Sequence, residues 1–563
     1  MQVIRSPKTY DAIVVGSGAA GGMTAMVLCK GGAKVLMLEA GGWYDTAKDS
    51  KMLEWPYQAP LRGFAPKLNT FGYFDAAVGG WQVDGEPYTS APGSDFQWFR
   101  ARMLGGRTNH WGRISLRMGP YDFKPYTRDS LGFDWPITYD DLAPYYDKTE
   151  ALIGVFGSKE NMENAPDGVF QPPPQPRCTE LWLAQSMKKM GLPVIASRLS
   201  ILTKSLNGRP ACHYCGQCGR GCATGSNFSS PTVLIPPAVK TGNLTITTNA
   251  MVREVLSDEE GKATGVSYID TKTRREVQVR AKVVVLAASG CESARILLNS
   301  KSARLPNGLA NSSGEVGKAL MDTVGVHVGG YFPQLESIPP HNDDAVGGGH
   351  LYVPWWNYQK KLDFPRGYHI EFGGGRGQPQ VGIFGGAQRF TGGGYGAELK
   401  QAYRRIYGAF HGFSGRGEMI PNKDCWCELD PDVVDQFGIP VLRFHWKWSQ
   451  HEILQAKHML DTFTEIIQTA GGQVIPSAAH QRDYGIEAGG RIIHEVGATR
   501  MGADPRTSVL NGYCQAHDVP NLFVTDGGCF ASNADKNPTL SIMAVAWRAS
   551  DHILETFGKG GQA

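Results

Sequence analysis

A glycine-rich turn set between a buried-strand pattern and a helix constrains this chain more than any other feature. Residues 10–15 are an apolar run, Gly16-Ser17-Gly18-Ala19-Ala20-Gly21 follows, residues 23–29 read as a helix, and residues 34–38 read as a second strand ending at Glu39. This is the strand–turn–helix–strand opening of a doubly wound α/β sheet. Gly16, Gly18 and Gly21 let backbone N–H groups approach a pyrophosphate at a helix N-terminus, and Glu39 is placed to accept ribose hydroxyls. A glycine turn without a ligand gives the same pattern, and the unit alone does not separate FAD from NAD.

The remaining pattern extends the fold class to a Rossmann-like nucleotide-binding domain joined to a discontinuous, antiparallel-sheet substrate domain. Residues 45–100 are rich in Gly, Pro and aromatics and read as loops wrapped over the sheet. Three β-prone runs, 244–247, 266–269 and 277–286, predict a strand ribbon returning to that sheet. From 331 to 480 glycine clusters (347–349, 373–375, 392–394) stand among aromatics, and a helix over 451–469 is predicted from Ser449 as its cap to Gly471 as its end. The expected division gives 1–45, 98–115, 240–330 and 485–563 to the cofactor domain. It gives 116–239 and 331–484 to the substrate domain, with a cysteine loop at 210–224.

Composition excludes several function classes. Lys and Arg number 56 against 53 Asp and Glu, in mixed order, without the basic stripe that nucleic acid requires. No apolar run reaches the roughly 18–20 residues of a membrane span, and the first residues show no signal-peptide pattern. The 71 glycines and 13 tryptophans fit a chain that brings backbone close to flat cofactors and sugars.

Three segments near the C-terminus carry the catalytic pattern: His494-Glu495-Val496-Gly497-Ala498-Thr499-Arg500-Met501-Gly502, then Asn521 to Gly528, then Asn537-Pro538-Thr539-Leu540. Here the sequence resembles the glucose–methanol–choline (GMC) oxidoreductases. The nucleotide unit, the stretch from Leu104 through Gly105, Gly106, Asn109 and His110 to Gly112, and the stretch from Ser289 to Asn299 match in the same order. Ser300-Lys301-Ser302 departs from the family's usual Ser-Gly-Ile-Gly-like turn. The resemblance implies FAD as cofactor, His494 as active-site base, and Asn537 in the place of the second His or Asn. It further implies cofactor contacts at Val252, Asp526, Gly527, Asn537, Pro538 and Thr539. Alcohol oxidation needs a base for the hydroxyl proton and a hydride acceptor facing the same carbon, and a neutral histidine suits the first role. His110 is implied to lie by the flavin; similar segments carry a flavin-linked histidine in pyranose oxidases but need not in bacterial sugar dehydrogenases.

Four of the 11 cysteines form Cys212-x-x-Cys215-x-x-Cys218-x-x-x-Cys222. This is the ferredoxin-type spacing without its terminal proline, and glycines 216, 219 and 221 allow tight folding around a cluster. A zinc knot and a disulfide patch are the alternatives. Cys212, Cys218 and Cys222 also resemble the three-iron site of bacterial FAD sugar dehydrogenases, with Cys215 a possible fourth ligand, so a three-iron or four-iron iron–sulfur cluster is expected. The other seven cysteines read as small buried hydrophobes.

The aromatic and polar stretches 350–357 and 368–371 are candidates for a sugar surface, though such stretches also build ordinary core. With segments 133–137 and 166–170 the chain looks similar to bacterial glycoside 3-dehydrogenases, which implies a sugar or glycoside substrate oxidised at carbon 3. Aldose 1-dehydrogenase and polyol dehydrogenase are the close alternatives. A flavin electron-transfer subunit without substrate chemistry is disfavoured by the joint presence of His494 and Asn537, and an oxygen-using oxidase by the cysteine run. An iron–sulfur protein without an export signal points to periplasmic delivery with a small carrier subunit bearing a twin-arginine signal, and to a cytochrome acceptor; a cytoplasmic enzyme is the alternative.

Overall fold

The computed structural model describes residues 3–55, 57–59, 75–339, 345–374 and 395–558. The apolar run at 10–15 is the end of a longer strand, Val3–Val15, whose register shifts between Arg5 and Thr9. It lies between Val35–Glu39 and Glu276–Leu286 and runs parallel to both. Leu244–Thr248 continues the sheet in parallel beyond Val35–Glu39, and Leu522–Val524 pairs in parallel with the end of Glu276–Leu286. Such a sheet is covered on both faces, so its strands are apolar throughout rather than alternating. Ile13, Val14, Val35, Met37, Val284 and Val285 are all 0% exposed, each contributing about 1.5–3 kcal/mol of burial.

The returning ribbon differs from expectation at one end. Residues 244–247 join the main sheet, and the ribbon is built from Ala250–Ser257, Ala263–Asp270 and the first half of Glu276–Leu286, all antiparallel. Because Val15 pairs with Leu38 and Leu286, and Leu286 with Val524, four parallel strands end at one edge. Ligands of open α/β sheets bind outside that carboxyl edge.

A second, antiparallel sheet stands beside this edge, in the order Gln473–Val474, Val324–Tyr331, Phe410–Gly417, Tyr368–Gly374, Leu351–Val353, Ile195–Ala196. The helix Gln450–Thr469 covers one face. Ser449 caps it, accepting from His451 N–H at 3.2 Å in a capping box with Glu452. Helix and sheet approach closely because Gly415 and Gly417 lack side chains: a Cβ at Gly415 would lie 2.4 Å from Met459 Sδ. Alternation along the strand turns the intervening Arg416 to the opposite face. The loop character of 45–100 holds apart from the short helix Thr46–Asp49 and two-residue strands such as Gly79–Gly80 and Arg100–Ala101. Within that stretch, residues 56 and 60–74 lie outside the described residues, as do Gly375 and the cluster at 392–394.

Candidate active site

The loops that follow the four parallel strands enclose a cavity of about 410 Å³. Gly16 sits at its base with φ +100°, and an added Cβ would lie 2.3 Å from Ala287 O. Gly21 is equally tight, 2.0 Å from Gly16 O, but stands behind the wall and serves helix–strand packing. Gly18 is different, since a Cβ there would meet nothing nearer than Gly105 O at 4.0 Å. Beside it, a Cβ on Gly106 would come no closer than 3.9 Å to Gly18 Cα. Two side-chain-free turns therefore lie side by side on the cavity wall, each with room for no more than an ordinary van der Waals contact to the other loop.

The helix Ala19–Lys30 begins at these turns, earlier than the predicted 23–29, with neither a side-chain cap nor an acid in its first turn. Its first N–H groups and the positive end of its dipole face the cavity. Glu39, at the end of Val35–Glu39, accepts from Ser17 Oγ at 2.5 Å and Gly41 N–H at 2.8 Å. Burial raises its carboxyl, against the lowering effect of these bonds and of Arg102. Ser17 also accepts from Gly105 N–H at 2.8 Å, tying the two loops together. Gly105 and Asn109 do not reach the cavity: Gly105 packs on Pro231, and Asn109 Nδ2 donates to Leu104 O at 2.9 Å. His110 and Val252 do line it. Burial, with Arg113 and Arg107 behind it, holds the His110 imidazole down at about 3.

At the far end the segment from His494 to Thr539 folds back over the same cavity. His494 N–H donates to Asp322 Oδ1 at 2.9 Å, its Nδ1 is 2.9 Å from Thr323 Oγ1, and its Nε2 is 3.3 Å from Asn537 Nδ2. Burial, then Arg416, lowers the imidazole to about 3, so it is neutral at working pH. Asp526 accepts from Ser293 Oγ at 2.5 Å, Gly528 N–H at 2.8 Å and Ser289 N–H at 3.1 Å, yet burial still pushes it up to about 6. Gly527 and Pro538 line the wall, and the helix Thr539–Phe557 starts there without an acid or a side-chain cap. Asn537 is 7% exposed and its Oδ1 has no protein partner.

Two sequence families described as GMC oxidoreductase match this chain, one over residues 10–324 and the other over 421–546. The chain is a GMC oxidoreductase. It is 32% identical to the 2-methyl-1,2-propanediol dehydrogenase of Mycolicibacterium austroafricanum, over 97% of this chain and 95% of that one. It is 27% identical to the fructose dehydrogenase large subunit of Gluconobacter japonicus, over 98% of each. A formate oxidase structure superposes with a TM-score of 0.65 at 15% identity, covering 97% of this chain and 98% of that one.

FAD fits this GMC oxidoreductase on its own geometry. The side-chain-free Gly18 and Gly106 turns and the first helix N-terminus suit a pyrophosphate, Glu39 a ribose, and the second helix N-terminus with the orphaned Asn537 Oδ1 the ring end. The enzyme is an FAD-dependent dehydrogenase of sugars or alcohols.

The cysteine loop is a different case. Cys218 and Cys222 are buried, Cys212 is half-buried and Cys215 exposed. Burial pushes the Cys212 thiol up to about 12, whereas hydrogen bonds from Thr224 and nearby backbone outweigh burial at Cys222 and lower it. As placed, no group of three or more His, Cys, Asp or Glu among the described residues forms a metal-holding set. The four thiols share one loop, near enough for Cys218, Cys215 and Cys222 each to raise Cys212, without forming such a set.

The aromatics of 350–357, a candidate sugar surface of the kind that more often builds ordinary core, are core. His350 Nδ1 lies 2.7 Å from Gln175 O, and Trp355 Nε1 donates to Asn357 Oδ1 at 2.8 Å. Of the stretches 350–357 and 368–371, Glu371 alone lines the cavity. Arg107, inside the stretch 104–112 that resembles the family, also lines it, as do Arg416 and Phe99, which carried no sequence signal.

Proposed function

We propose that the enzyme oxidises a secondary hydroxyl of a sugar or glycoside, carbon 3 favoured, with His494 as base and an acceptor other than oxygen. The observation that carries the catalytic part is the His494–Asn537 pair, 3.3 Å apart on the cavity wall where the helix Thr539–Phe557 begins. FAD, when bound, supplies the hydride acceptor. His494, kept neutral by burial, takes the hydroxyl proton at Nε2. Asn537 gives up its bond to Nε2 as the substrate oxygen enters and donates to that oxygen instead. The N-terminal dipole of Thr539–Phe557 favours negative charge on whatever ring lies against it. Gly16, Gly18, Gly106, Glu39, Val252, Asp526 and Gly527 would bind the cofactor, with Gly21, Gly105 and Asn109 shaping the loops behind them.

The preference for carbon 3 rests on the likeness to glycoside 3-dehydrogenases. Incubation with methyl glucoside and a dye acceptor, with the product identified by NMR, tests it: a 3-keto glycoside is expected, and a lactone from free glucose with methyl glucoside inert overturns it. A second reading, a small vicinal diol, is favoured by the relative at 32% identity that oxidises 2-methyl-1,2-propanediol by name.

Electron exit through a three-iron or four-iron cluster on Cys212, Cys215, Cys218 and Cys222 is supported by spacing alone, since the thiols as placed form no such set. Iron and acid-labile sulfide analysis of the purified chain tests it. A periplasmic assembly with a small carrier subunit and a cytochrome acceptor is supported by the relative whose name is a large subunit. Among the described residues no helix is long and apolar enough to cross a membrane. Fractionation of native cells tests the location.

A further inference from the structure

Glu371 and Arg416 come from paired strands. In the antiparallel ladder Glu371 faces Ser414 and His369 faces Arg416, so Glu371, His369 and Arg416 share one face of the sheet. Arg416 Nη2 is 3.3 Å from Glu371 Oε2, and His369 Nε2 is 3.3 Å from Glu371 Oε1. His369 is itself backed by Asp535, 3.4 Å from its Nδ1, and Asp535 pairs with the buried Lys536. The carboxylate is thus fixed at the cavity wall by two cationic or hydrogen-donating groups. Burial would raise it, but Arg416 and His369 outweigh burial and hold it at about 2, fully ionised.

An ionised carboxylate only accepts hydrogen bonds. Asn537 Nδ2 lies 3.4 Å from Glu371 Oε1 and 3.3 Å from His494 Nε2. With Glu371 taking one N–H of that amide, the second N–H of the same nitrogen faces Nε2. Flipping the amide would set its oxygen against the carboxylate, a repulsive contact. An N–H facing Nε2 requires a lone pair there, so the imidazole proton sits on Nδ1 and is donated to Thr323 Oγ1, 2.9 Å away.

We propose that Glu371, anchored by Arg416, is a positioning residue: it orients the Asn537 amide and through it keeps His494 in the tautomer whose Nε2 is ready to accept a proton. This rests on the reading of His494 Nε2 as the base. Charges from the neighbouring elements, Arg107 with Glu495 and the buried Asp322, surround the same imidazole but touch neither nitrogen that carries the lock. The arrangement gives Glu371 an effect on chemistry without contact to the reacting atoms.

The test is long-range proton–nitrogen NMR on the full-length holoenzyme with ¹⁵N-labelled histidine, His494 assigned by its loss in His494→Gln. The wild type should show Nε2 unprotonated and Nδ1 protonated. Glu371→Gln should populate the other tautomer and slow flavin reduction by about 10- to 100-fold, the scale on which lost orientation acts when the reacting group remains, with KM changed far less. Should Glu371→Gln fail to fold, Asn537→Ala, which leaves the Glu371–Arg416 pair intact, should loosen the tautomer in the same way. A wild-type Nε2 already protonated, or a tautomer unmoved in the variants, overturns the proposal; slower reduction without a tautomer change also does, because the carboxylate would then act on substrate directly. The nitrogen signals need no substrate, so they judge the lock even if the sugar reading fails.

Discussion

Replacing Gly18 by alanine should separate cofactor binding from folding. The residue has φ −70°, open to any side chain, and an added Cβ meets nothing nearer than 4.0 Å. The substitution narrows the unfolded ensemble, so apoprotein stability should be unchanged or raised by about 0.4–1 kcal/mol. The same methyl would stand beside Gly105 O on a residue that lines the cavity, where a pyrophosphate needs direct backbone contact. A hundredfold loss of FAD affinity corresponds to about 2.7 kcal/mol. With FAD at about 100 times the wild-type Kd, the variant would lose most of the roughly 2.7 kcal/mol that bound cofactor adds to stability. Thermal unfolding with and without FAD, read beside flavin absorbance, measures both terms. The apo curve of the variant should lie at or slightly above that of the wild type while the FAD-dependent rise in Tm nearly vanishes. Gly16→Ala is the contrast: with φ +100° and 2.3 Å to Ala287 O, it should destabilise the apoprotein itself. Stoichiometric FAD and a full Tm rise in Gly18→Ala would refute the reasoning.

Other expectations follow from the same site. His494→Ala should keep FAD but slow flavin reduction by about 10²- to 10⁴-fold in stopped-flow traces, as for a lost general base. Glu371 has its folded-state value depressed to about 2 from 4.5, so it stabilises the fold above pH 4.5 and loses that contribution as pH falls through about 2. The stability gap between wild type and Glu371→Gln, at most about 3 kcal/mol, should therefore shrink over that window in urea titrations. Flavin should be released on acid precipitation, with none left on the protein, if His110 only packs against the ring.

The parallel core and the cofactor turn were legible because both are local: an apolar strand, a glycine turn and a terminal acid lie within 30 residues. His494 and Asn537 were legible through a motif shared with other chains. Glu371 drew notice only as part of a polar stretch, and Arg416 none, because their pairing depends on a strand register that links residues 45 positions apart. Strand Ala250–Ser257 escaped because Arg253 and Glu254 interrupt its apolar alternation, and only its partner Ala263–Asp270 supplies the reason for extension. The aromatic stretch 350–357 was ambiguous by composition and resolves as core, since Trp355 satisfies its indole N–H inside the protein. Spacing among the four cysteines was visible, whereas their convergence is a property of the folded loop.

The central claim, that this cavity oxidises a polyol by proton transfer to His494 and hydride transfer to FAD, is tested most directly by anaerobic mixing of the holoenzyme with methyl glucoside, fructose and 2-methyl-1,2-propanediol. At least one should bleach the flavin absorbance in wild type, with reoxidation faster by dye than by oxygen and with the bleaching slowed at least about a hundredfold in His494→Ala. Flavin that stays oxidised with every polyol, or bleaches equally fast without His494, would contradict the account.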